Sequence, residues 1–326
     1  MFSEQLAAIT VGGYDGRSEM KSTEIGPNTN NCTIPNLPTA ISGSPSMVLT
    51  NDKKILLCGG RNNLLQCLNL HQENWYHHSN LNEERSFATA IQMSKGTYLF
   101  GGINSPNTWE WLPNGSNKWK QGAGRISEGF NRGCGVGISD TEVLLIGGQG
   151  TKQRIFKIDV ESNHQEEVGQ LNQGRYFHSC TKFLNQIVVT GGRKSWNEVL
   201  KSTEILDMNT LVPRVGHNMN EGRFGHGLIV SHYNKQQTLL AVGGVDYQNK
   251  WNWKDTIEVW NPDDGTWSLS NALKHIEAKN AFGFSSIPTG LVCCPKSNTT
   301  DPVENDDDVL FLNVYIKYFA ERRKSF

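Results

Sequence analysis

Six short apolar runs recur along the chain, and each ends in a pair of glycines. They read AAITV at 7–11, ILLC at 55–58, TYLF at 97–100, VLLI at 143–146, IVVT at 187–190 and LLAV at 239–242. Each is too short for a helix, apolar, with at least one β-branched residue, and bounded by a turn signal, which predicts a buried strand. The glycines are Gly12-Gly13, Gly59-Gly60, Gly101-Gly102, Gly147-Gly148, Gly191-Gly192 and Gly243-Gly244, and successive pairs recur at spacings of 42 to 52 residues. A glycine pair after a strand marks an unusual φ or a close approach of another chain segment. The expectation is that the strand approaches an aromatic ring of its own repeat.

The rest of the repeat agrees. KSTEI at 21–25 returns unchanged at 201–205, with weaker copies TWEWL at 108–112 and DTIEV at 255–259. Their alternation predicts a third strand with one packed and one wet face. Trp75, Trp119 and Trp267 follow near a fourth strand. Then come RSFATA at 85–90, RYFHSC at 175–180 and RFGHGL at 223–228, in which Arg175 and His178 recur as Arg223 and His226. A period in the forties with one strand and Gly-Gly per unit predicts the blades of a β-propeller.

These residues resemble the kelch repeat over roughly residues 6–288, with degenerate stretches at 163–168 (NHQEEV, no Trp) and 32–38 (CTIPNLP). The expected fold is all-β: a six-bladed kelch-type propeller of four-stranded antiparallel blades. Residues 6–11 read as a second strand with no first strand before it, and AFGFSSI at 281–287 as a first strand with no Gly-Gly after it. Pairing the C-terminal strand with the N-terminal blade closes the ring and removes its free edges. Residues 1–288 then form one domain. Residues 289–326 read as a partly disordered tail, with ENDDD at 304–308 and an apolar run at 309–320 too short to span a bilayer.

Composition narrows the function. Lys plus Arg number 31 against 32 Asp plus Glu, for a net charge of -1. That leaves no footprint for nucleic acid and no polybasic patch for lipid. No apolar stretch reaches membrane-spanning length. The glycine pairs lack the Lys-Ser/Thr of a phosphate loop, and there is no His-Glu-x-x-His, Gly-x-Ser-x-Gly or Cys-x-x-Cys. The adjacent His77 and His78 point to opposite faces of a strand and cannot share a metal. Enzymes with kelch-type folds carry additional catalytic or iron-binding residues, and no such set is recognisable here. The expectation is no catalytic residue, no metal and no cofactor, with an enzyme as the third reading.

Seven cysteines leave the compartment open. Cys58 and Cys67 belong to successive strands of one blade, Cys134 and Cys180 to equivalent first strands of neighbouring blades, and Cys32 and Cys293 or Cys294 to the closing blade. Pairing would place the protein in an oxidising compartment; burial as small apolar residues is the alternative. The chain opens without a signal-peptide pattern, which favours the cytoplasm. Sequons at Asn31, Asn114 and Asn298 discriminate nothing, because about four would arise by chance in so Asn/Ser/Thr-rich a chain.

What remains is surface. In a propeller of this kind the loops after Gly-Gly and the turns before each first strand share one rim of the central channel. The candidate partner-binding residues are therefore Tyr14, Asp15, Arg61, Asn62, Asn63, Ser86, Arg132, Tyr176, Arg193, Lys194, Asp246 and Tyr247. GGRNN at 59–63 is similar to a segment of substrate-receptor kelch proteins, where Arg and Asn grip acidic or amide groups. A planar guanidinium suits a carboxylate, so the expected partner is a protein offering an acidic segment. Trp251 and Trp253, in the longest post-glycine loop, are candidates for interface anchors or for packing onto an adjacent blade. The resemblance thus implies a non-catalytic interaction module, a scaffold or a ubiquitin-ligase substrate receptor, although the BTB and BACK regions of such adaptors are not in this sequence. A secreted, disulfide-bonded propeller that binds a surface protein or glycan is the alternative.

Overall fold

The computed structural model describes residues 6–26, 34–71, 74–247, 250–274 and 278–288. Cys32, Cys293, Cys294, Asn31, Asn298 and the expected tail lie outside them. Among the described residues no helix is long and apolar enough to cross a membrane.

The fold is a six-bladed, all-β propeller. Blade 2 comprises strands Ser46–Leu49, Ile55–Cys58, Cys67–His71 and Asn74–His78. Blade 3 begins at Thr89–Met93, blade 4 at Cys134–Gly137, blade 5 at Ser179–Phe183 and blade 6 at Gly227–Tyr233, each the first of four antiparallel strands. The closing blade 1 joins the two ends of the domain. Leu6–Val11 pairs with Thr23–Gly26 on one side and Gly283–Pro288 on the other, with Leu6 opposite Pro288 and Val11 opposite Gly283. The core lies mainly between blades. Ile146 and Val136 of blade 4, for example, pack with Ile187, Val189 and Leu206 of blade 5.

The glycine pairs do not make room for an aromatic ring of their own blade. They make room for backbone. The segment connecting one blade to the next crosses the glycines, and the second glycine N–H donates to its carbonyl: Gly60 to Arg85, Gly102 to Phe130, Gly192 to Arg223. A Cβ on Gly59 or Gly101 would sit 2.4 or 2.0 Å from that carbonyl oxygen, and both residues have φ near +70°. Close approach and a left-handed backbone are thus required at once.

The repeated Arg and the third-strand Glu meet inside the blade. Arg85 Nε lies 2.8 Å from Glu110, Arg175 Nη2 2.7 Å from Glu204 and Arg223 Nη2 2.9 Å from Glu258, all buried. Lys279 fills the same place in blade 1, 2.7 Å from Glu24. Blades 2 and 4 lose both partners together: Ile41 faces the level of Leu68, and Phe130 that of Phe156, each pair within one apolar cluster. An unpaired charge is what burial penalises; an apolar pair is tolerated.

His178 and His226 are buried, each with its Nδ1 lacking a hydrogen-bond partner. His226 Nε2 lies 2.9 Å from Thr190 Oγ1, and His178 Nε2 3.2 Å from Cys134 Sγ. Burial, with the Arg175 guanidinium adding to it, pushes His178 down to about 3. His226 is held well below the ordinary range for the same reasons. Both rings are neutral at pH 7. Cys58 and Cys67 are register partners joined by a disulfide, and a second disulfide joins Cys134 of blade 4 to Cys180 of blade 5.

Candidate functional site

Just before each first strand, the connecting segments meet around the channel mouth. Phe87, Arg132, Phe177, Gly225 and Ala281 occupy equivalent positions with φ between 52° and 59°, and Gly43-Ser44 take the sixth place. Their backbones form a closed hydrogen-bonded circle. Phe87 N–H donates to Gly43, Arg132 to Phe87, Phe177 to Arg132, Gly225 to Phe177, Ala281 to Gly225 and Ser44 to Ala281. Non-glycine residues at positive φ are costly unless the surroundings enforce them, and here each is held by its neighbours on both sides. A cavity of about 150 Å³ opens at this mouth, with Phe87, Arg132, Phe177 and Ser44 among its walls.

Side chains build the mouth unevenly. On one half, Arg132 lies between two rings, 5.4 Å from the centre of Phe87 and 4.9 Å from that of Phe177. On the other, Gly225, Ala281 and Ser44 offer nothing larger than a hydroxymethyl group. Burial lowers the Arg132 pKa, and the nearby positive charge of Arg193 acts the same way. Its Nε is buried without a hydrogen-bond partner. Among the described residues no carboxylate pairs with Arg132 or Arg61.

Two hairpins raise a wall beside it. Arg193–Ser195 pairs with Glu198–Val199 above blade 5, and Val245–Tyr247 with Trp251–Trp253 above blade 6. Between them Arg193 is 3% exposed. Its guanidinium carbon lies 4.5 Å from the Trp196 ring centre, 4.7 Å from Phe224, 5.2 Å from Trp251 and 5.7 Å from Tyr176. Desolvation lowers its pKa.

The sequence-derived rim therefore divides. Arg61, Asn62, Lys194 and Tyr14 are exposed, and Asp15, Asn63, Arg132, Tyr176 and Tyr247 half-buried. Lys194 pairs with Glu198 at 3.3 Å. Ser86, Arg193 and Asp246 are buried, so their side chains are not open contact points. The reason for Arg193 is the ring cluster that closes over it; Asp246 Oδ1 accepts the Tyr247 N–H at 2.7 Å. Trp251 and Trp253 both pack on neighbours. Trp251 lies against Phe224 and Trp196, and Trp253 against Tyr14, in the space that Gly16 leaves open. Sequence reasoning missed Trp196, which is 68% exposed. It also missed Phe87 and Phe177 as walls of the mouth. Their shared position two residues after the Arg of the repeat, or its counterpart, was the available signal.

Among the described residues no group of three or more His, Cys, Asp or Glu is placed to share a metal ion. No protein-family model and no curated relative matches the sequence. Among solved structures the chain is similar to YjhT, with a TM-score of 0.67 at 13% identity over 77% of this chain and 88% of that one. The likeness establishes a kelch-like propeller fold.

Proposed function

We propose that the protein is a recognition module without catalytic chemistry of its own, and that its channel-mouth face takes an acidic protein segment. One observation carries the reading. Arg61 and Arg132 stand at this face with no carboxylate paired to them among the described residues, and Arg132 is stacked between rings with its Nε buried, so that its terminal Nη edge is left for a ligand. A guanidinium whose faces are covered and whose terminal edge is free is shaped for a bidentate carboxylate or phosphate.

The test is the affinity of labelled Asp/Glu-rich and phosphoserine peptides against lysine-substituted controls. The Arg61→Ala and Arg132→Ala variants are each expected to bind about tenfold more weakly with an unchanged melting temperature, in line with loss of one charge-assisted bond. Arg193→Ala, by contrast, is expected to lower the melting temperature, because it empties the centre of the ring cluster. Unchanged affinity in the Arg61/Arg132 double variant excludes the face.

A second reading, the same module in an oxidising compartment, is favoured by the two disulfides. In protein purified from its source, alkylation followed by intact mass is then expected to show at least four cysteines protected until a reductant is added. Seven free thiols rule that reading out and leave the cytoplasmic receptor.

A further inference from the structure

Exposed hydrophobic residues are ordinary when scattered singly, but Trp196 is held in a way that such residues are not. It sits at the tip of the blade 5 hairpin, 68% exposed. Its ring is stacked at 4.5 Å on the Arg193 guanidinium and meets Trp251 edge-on at 5.7 Å. Its backbone carbonyl accepts a hydrogen bond from Arg193 Nη2. Among the described residues no carboxylate pairs with Arg193, so a buried cation is balanced by ring faces and carbonyls alone. Three supports thus fix one indole in the open. Ordering a large side chain before binding removes the entropy cost that an interface otherwise bears, and tryptophan is the residue most enriched among interface anchors.

The surroundings say what it anchors. Arg132, Phe177, Phe224, Arg193 and Trp196 form a continuous line of contacts of 4.5 to 5.8 Å. Trp196 therefore lies no more than about 20 Å from the mouth arginine, a span covered by about six residues of extended chain at ~3.4 Å each. The cation behind the indole draws electron density from its exposed face. That face then disfavours a lysine or arginine and favours the electron-rich face of a neutral ring in offset stacking, while the flat apolar surface of proline can cover it by dispersion and burial.

We propose that the ligand is bipartite: an acidic residue for the channel mouth and, within about six residues of it, an aromatic or proline side chain that stacks on Trp196. The proposal rests on the acidic-segment reading above and adds the second half of the motif. It is tested by panning a displayed library of random peptides on the wild-type protein and on the Trp196→Ala, Trp196→Phe and Arg132→Gln variants. Wild-type selections are expected to combine Asp or Glu with Phe, Tyr, Trp or Pro inside that window. Selections on Trp196→Ala should keep the acidic preference and lose the ring, with affinity for the wild-type winners down at least tenfold; Trp196→Phe should restore most of it. Arg132→Gln should do the reverse, keeping the ring preference and losing the acid. Acidic winners without a ring, or a ring preference that survives Trp196→Ala, overturn the bipartite motif and leave the acidic-segment reading standing. Winners with no acidic preference overturn both.

Discussion

A chain ending at residue 278 is expected not to fold. The cut removes Gly283–Pro288, whose six residues pair with Leu6–Val11 along its whole length. It removes Phe282 and Ile287, which are 2% and 1% exposed and contribute ~1.5–3 kcal/mol each on burial. It also removes Lys279 and so leaves Glu24 buried without its cation, a loss of ~3–5 kcal/mol for a pair broken on one side. Together these come to ~6–11 kcal/mol, comparable to the ~5–15 kcal/mol by which domains are stable, before the exposed edge of blade 1 is counted. A chain ending at 288 keeps every one of these contacts and is expected to unfold in a single transition. Circular dichroism and urea denaturation of the two fragments decide the matter; a soluble, cooperative 1–278 fragment would refute closure by the C-terminal strand.

The second large effect is expected inside blade 5. Glu204 accepts hydrogen bonds from Arg175 Nη2 at 2.7 Å, the Asn172 N–H at 2.6 Å, Asn172 Nδ2 at 3.0 Å and the Gln173 N–H at 3.1 Å. Glu204→Leu leaves the buried Arg175 guanidinium without its carboxylate and the Asn172 and Gln173 N–H groups without their acceptor, and should cost ~3–5 kcal/mol in urea denaturation. Blade 2 shows how the same place is built without charge. There the Arg position holds Ile41, the Glu position Leu68, and the position of Asn172 holds Pro38, which has no N–H to satisfy. Blade 4 has Phe130 and Phe156, and its Ser127 N–H is met by Gln165 instead, at 3.0 Å. Introducing Asn172→Pro, Arg175→Ile and Glu204→Leu together should therefore recover most of the stability that Glu204→Leu loses. If the triple variant is no more stable than the single one, the network is not what the charge serves.

The contrast between blades also shows what a linear reading can reach. Strands, blade number, closure and the juxtaposition of Cys58 with Cys67 and of Cys134 with Cys180 all follow from position within the repeat, since equivalent positions occupy equivalent places; that each juxtaposed pair is bonded was left open by the sequence and comes from the structure. Position also put Arg193 on the rim. Its burial, however, is decided by Trp251, which reaches it from the hairpin of the next blade, and nothing in the repeat encodes where a hairpin will lean. The glycine pairs misled in the same way. Strand and Gly-Gly are adjacent in sequence, but the backbone that demands the glycine comes from the next repeat. Lys279 escaped notice because it is a lysine in an arginine series and lies where the repeat has already broken off.

The circle at the mouth is made entirely of main-chain groups. Residue identity enters it only through tolerance of a left-handed backbone, and phenylalanine, arginine, serine, alanine and glycine all meet that condition in this one molecule. The fold is thus indifferent to what those places display. They behave as interchangeable letters on a fixed frame, and a new specificity could be written there with few substitutions while the scaffold beneath kept its form.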